Sequence, residues 1–88
     1  MRVAPINRRA ELIEARRDVV VALLDEDRPT STVAVARAVR EELSWDQRIR
    51  TGPETIRRDL SVLRDRGRVR WRRTGLGWVR DHPRLFDV

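Results

Sequence analysis

The hydrophobic period changes at Gly67, and that change limits the possible folds more than any other feature of the chain. Before it, Ile56, Leu60 and Leu63 recur at i, i+4 and i+7, the spacing that lines one face of a helix. After it, Arg68-Val69-Arg70-Trp71-Arg72 alternates, which puts Val69 and Trp71 on one face of a strand and three arginines on the other. Gly52-Pro53-Glu54 reads as a helix start, because proline loses nothing at the first helical position and an acid suits the positive first turn. Gly67 follows Arg66 as a C-terminal cap. The pattern therefore predicts a third helix over Pro53–Arg66 that runs directly into a hairpin.

Thr74-Gly75-Leu76-Gly77 holds two glycines that tolerate positive φ and can turn the chain into Trp78-Val79-Arg80. With the loop at 74–77, Arg73 faces Trp78, and Trp71 and Trp78 share the buried face. Upstream, Leu12, Ile13, Val19, Val20, Leu23 and Leu24 predict a first helix over Asn7–Leu24, capped by Asn7 and closed by Arg28-Pro29. Thr30, Ser31 and Thr32 offer caps for a second helix over Thr32–Leu43, striped by Val35, Ala36, Val39 and Leu43. Ser44–Thr51 reads as a loop or a short strand, with the strand favoured. The expected core draws on Leu12, Val19, Leu23, Ile56, Leu60, Leu63, Val69 and Trp71.

Three helices followed by a hairpin give a mainly α fold with a small β-hairpin. That is the order of a winged helix-turn-helix domain, with three helices and a two- or three-stranded wing. The 88 residues have room for one small core, so a single domain over 1–88 is expected, with a lead over 1–6, a body over 7–80 and a tail over 81–88. The longest apolar run, Val19 to Leu24, falls far short of the ~20 residues of a membrane span, which predicts a cytoplasmic chain with no membrane contact. With no Cys and only His82, zinc has no ligand set, and no cofactor is expected. The absence of a P-loop spacing, a G-x-S-x-G motif and a partner for His82 points away from an enzyme.

The formal net charge of +6 is unevenly spread: residues 1–47 hold 8 Arg against 9 acids, and residues 48–88 hold 12 Arg against 5. A basic second half is the electrostatic footprint of a polyanion binder. All 20 basic residues are Arg, for which the codons of a GC-rich genome are a better explanation than any ligand. On the third helix, the face opposite Ile56, Leu60 and Leu63 carries Glu54, Arg58, Ser61 and Asp65, with Arg57 and Arg64 on a flank. Arg57, Arg58, Ser61 and Arg64 are thus candidate DNA contacts from the helix, because recognition helices read base edges with their N-terminal residues. Arg68, Arg70, Arg72 and Arg73 are candidate phosphate contacts from the wing, with Arg72 and Arg73 nearest its tip. Two bland readings compete: a Glu54–Arg58 surface ion pair, and a charged strand face that only discourages edge pairing.

Thr55-Ile56-Arg57-Arg58-Asp59-Leu60, followed by Leu63, Gly67 and a basic strand, resembles the recognition-helix signature of DeoR-type bacterial repressors. The resemblance is close over Thr55–Gly67 and looser over Ala10–Trp78. It implies that the third helix reads the major groove while the hairpin lies on the backbone or in the minor groove. The chain departs from the family in three ways. Gly52 stands where a Ser or Thr cap is usual, Ser44–Thr51 is longer than the usual turn, and no counterpart of the sugar-phosphate-sensing domain is present, so ligand control is not implied. In size and architecture the chain resembles small regulators and recombination-directionality factors of phages and plasmids. The expected function is sequence-specific binding of double-stranded DNA, as a homodimer or with a protein partner. The alternative is a protein-interaction module, to which Leu85 and Phe86 could contribute.

Overall fold

The start of the second helix and both ends of the third trace to local devices in the sequence. In the computed structural model, which describes residues 8–45 and 49–81, α1 spans Arg8–Leu23, α2 Thr32–Glu42 and α3 Pro53–Asp65, followed by β1 (Val69–Arg72) and β2 (Gly77–Arg80). Ser31 caps α2 by accepting the Ala34 N–H on its Oγ at 3.2 Å. Gly52 precedes α3 without a side-chain cap, and Pro53 opens the helix. At the far end Gly67 has φ 73, and the N–H groups of Gly67 and Arg68 return to the carbonyls of Arg64 and Leu63, each at 2.9 Å. This is a Schellman motif, and it delivers the chain from α3 into β1. The proposed cap Asn7, the residues 46–48 and the tail residues His82, Leu85 and Phe86 lie outside the described residues.

The three helices and the antiparallel hairpin form the expected mainly helical, winged helix-turn-helix arrangement. One core joins all of them: Val20 and Leu24 from α1 and the residue after it, Val35 and Val39 from α2, Ile56, Leu60 and Leu63 from α3, and Val69 and Trp78 from the hairpin. Leu12 and Val19 pack at its edge. Two expected core residues are displaced. Leu23 is 40% exposed, because the phase of α1 turns Leu24 inward in its place, and Trp71 is 42% exposed. Trp78 takes the buried position, donating its indole N–H to Thr32 Oγ1 at 3.1 Å, and Trp71 stands edge-on to it with ring centroids 5.3 Å apart.

The hairpin register also differs from the expectation. Trp71 pairs with Trp78 and Arg72 with Gly77, so the turn is Arg73–Leu76 and Arg73 does not face Trp78. The cause lies in Gly77, where a Cβ would sit 2.5 Å from the Thr30 backbone nitrogen. Gly77 therefore serves close approach rather than turning. Thr30 and Trp78 exchange both backbone hydrogen bonds, at 3.0 and 2.8 Å, and Arg80 N–H donates to the Asp25 carbonyl at 2.9 Å. The α1–α2 connection thus lies along β2 and supplies a one-residue third rung. The strand favoured over 44–51 is not formed at its described positions: Ser44 and Trp45 lie in a turn and residues 49–51 pair with no strand. No described helix is long and apolar enough to cross a membrane.

Candidate nucleic-acid interface

The inner face of α3 holds a charge that apolar patterning does not explain. Asp59 is fully buried, yet both of its oxygens are occupied. Arg16, itself 7% exposed, donates Nη2 to Asp59 Oδ1 at 2.8 Å and Nε to Oδ2, and Arg17 donates Nε to Oδ1 at 3.0 Å. The remaining guanidinium nitrogen of Arg16 reaches the Arg50 carbonyl at 3.2 Å, in the segment leading to α3. Arg17 also pairs with Glu14 at 2.9 Å, and Glu14 takes a two-pronged contact from Arg66, at 2.9 and 3.0 Å, at the C-terminal cap of α3. α1 therefore grips α3 at two heights through one ionic chain. The Arg66 hydrogen bonds are the largest influence on Glu14 and, with Arg17, hold its carboxyl down at about 2. The same bonds raise the Arg66 pKa.

With Asp59 facing inward, its neighbours Arg57 and Arg58 face outward. Both are exposed, and their side chains make no hydrogen bond or ion pair with any described residue. Glu54 and Arg58, although four apart, form no ion pair. Ser61 is half-buried, which withdraws it from the fully exposed face where the pattern placed it. Arg64 is exposed and stands 3.7 Å from Asp65. On the hairpin, Arg68 and Arg73 are exposed and their side chains have no described partner, Arg70 lies 4.0 Å from Asp81, and Arg72 is half-buried with Nη1 donating to the Asp27 carbonyl at 3.0 Å. The register puts Arg70 and Arg72 on the face that also carries Val79. That face is not simply solvated, because Val79 is fully buried. Of the arginines the sequence pattern selected, those whose side chains have no partner among the described residues are thus Arg57 and Arg58 in the first half of α3, Arg68 at its exit and Arg73 at the tip.

Compared with protein-family models, with curated proteins and with solved structures, the chain matches none.

Three further arginines, not singled out by the sequence pattern, line a cleft beside the start of α3. This open cleft of about 800 Å³ between α2 and the start of α3 is lined by Arg37, Arg40 and Arg50 together with Val33, Gly52 and Thr55. The signal was present in the spacing, since Val33, Arg37 and Arg40 fall at i, i+4 and i+7 on α2. Asp59 and Arg16 were readable in the same way. Each occupies a core slot of its helix, Asp59 three residues after Ile56 and Arg16 midway between Leu12 and Val20. A charge in a core slot signals a buried group that needs a partner, although it does not say which partner.

Proposed function

We propose that the protein binds double-stranded DNA sequence-specifically, with α3 in the major groove and the hairpin as a basic wing on the backbone or in the minor groove. The observation that carries this reading is the division of Arg57-Arg58-Asp59 into two outward, unpaired guanidinium groups and one inward carboxylate locked to α1. A base-reading arginine needs a rigid mounting, because a misplaced fork loses its bidentate geometry. Asp59 supplies that mounting one residue away. Arg68 and Arg73 contact phosphates, and Arg37 and Arg40 extend the same role to the α2 side of the cleft. The reading extends to a role as a small transcriptional regulator, or as an accessory factor of a phage or plasmid, by likeness of architecture. The DeoR-like signature over Thr55–Gly67 supports the assignment of α3.

The test is selection of bound duplexes from a randomised pool, followed by affinity measurements on the enriched site and on random duplex. Arg57→Ala or Arg58→Ala should weaken binding to the enriched site more than to random DNA, by about 1–3 kcal/mol for a bidentate guanine contact, and relax preference at one or two base pairs. Equal losses on both DNAs would reduce these residues to backbone contacts. Failure to enrich any site, with binding insensitive to salt, would favour a protein-interaction module instead.

A further inference from the structure

The hairpin tip combines an exposed apolar side chain with a rigid mounting. Leu76 is 69% exposed and sits at φ 50, the left-handed region that glycine adopts freely and leucine avoids. Both features are unfavourable for a surface turn, and one substitution to glycine would relieve both. The tip has little freedom to withdraw the side chain. Leu76 N–H donates to the Arg73 carbonyl at 3.3 Å, and the glycines on either side are pressed onto the α1–α2 connection. A Cβ on Gly75 would lie 2.9 Å from Pro29 Cγ, and one on Gly77 would lie 2.7 Å from the Pro29 carbonyl carbon. The Thr30–Trp78 bridge fixes the residue just beyond. Leu76 therefore projects from a turn held from behind by Pro29 and Thr30, with Arg72 and the unpaired Arg73 beside it.

We propose that Leu76 is a wedge that enters the minor groove of duplex DNA and partly unstacks one base step, bending the duplex. This rests on the reading of the hairpin as a DNA-contacting wing and gives its tip a task of its own. Apolar side chains used in this way insert between base pairs while neighbouring arginines hold the flanking phosphates. The mounting matters because a mobile tip would lose the gain of insertion to the entropy of being ordered. A single leucine among arginines suits a polyanion, whereas a protein contact or membrane insertion draws on a larger apolar area than one side chain offers. Pyrimidine–purine steps unstack most readily, so the site should favour one beneath the tip although no hydrogen bond reads it.

The experiment compares the full chain with Leu76→Gly and Leu76→Met on an enriched duplex carrying end labels for energy transfer and 2-aminopurine at the step beneath the wing. The unaltered chain should shorten the end-to-end distance by a bend of about 20° or more and raise the 2-aminopurine emission. Leu76→Gly should lose both signals while its thermal midpoint stays level or rises, since the backbone is relieved, and Leu76→Met should retain both. If Leu76→Gly bends and unstacks the duplex as the unaltered chain does, the wedge is refuted and the DNA-binding reading stands. If the unaltered chain binds no duplex at all, that reading fails and the wedge with it. Loss of binding to anionic phosphatidylserine vesicles by Leu76→Gly, with DNA bending unchanged, would overturn the proposal in favour of a membrane contact.

Discussion

Asp59 has no route to solvent, so everything it does is done through Arg16 and Arg17. A buried pair adds little net stability over apolar residues of the same size, but removing one partner strands the other charge. Asp59→Ala should therefore cost about 3–5 kcal/mol in urea denaturation, a large share of what a domain of this size possesses. Replacing both partners, as Arg16→Met with Asp59→Leu, should restore most of that loss. Arg16→Lys should not rescue function, because an ammonium cannot hold both carboxylate oxygens and the Arg50 carbonyl at once. At the outer end of the chain of charges, Glu14 titrates lower in the folded state, at about 2, than the ordinary value of 4.5. Its contribution is thus complete above pH 4.5 and is lost as the pH falls toward 2. The gap in thermal midpoint between the unaltered chain and Glu14→Gln should close over that window, and a gap unchanged at low pH would disconnect Glu14 from Arg66. These residues were legible one at a time, as charges in apolar stripes. Their pairing was not, because 43 residues separate Arg16 from Asp59 and no local pattern links them.

At the scale of elements, the helices were legible to within a residue or two because their signals are local: Ser31, Pro53 and Gly67 each act on the turn beside them. The hairpin was legible as an element but not in register. Gly75 and Gly77 look alike in sequence, yet Gly75 turns the chain at φ 93 while Gly77 makes room for Pro29 and Thr30. The third rung was invisible for a related reason, since a single bridging residue between Pro29 and Ser31 has no alternation to detect. Gly77→Ala should force the hairpin off that connection and cost about 1–3 kcal/mol, read by denaturation and by loss of the tryptophan signal in near-ultraviolet circular dichroism. The two tip arginines should separate in behaviour. Arg73→Ala should lower the salt dependence of DNA binding by about one unit of slope and leave the melting temperature alone. Arg72→Ala should also lower the melting temperature, because it gives up the bond to Asp27.

For the molecule as a whole, the hairpin cannot be treated as an appendage. Its strands contribute Val69 and Trp78 to the common core, and its outer edge is joined to the α1–α2 connection at Thr30 and Asp25. Leu60→Ala, at the centre of that core, should cost about 2–5 kcal/mol and broaden or abolish the thermal transition. A Leu60→Ala protein that melts like the unaltered chain would mean that α3 is rotated about its axis. The Thr30–Trp78 rung carries a kinetic consequence. Surface connections normally exchange their amide protons by brief local openings, far faster than the core. Here the amides of Thr30 and Trp78 protect one another, so neither can exchange until the hairpin parts from the helices. Deuterium uptake at Thr30, in a short loop, should therefore follow the slow rate of the core amides rather than that of its exposed neighbours Asp27 and Arg28.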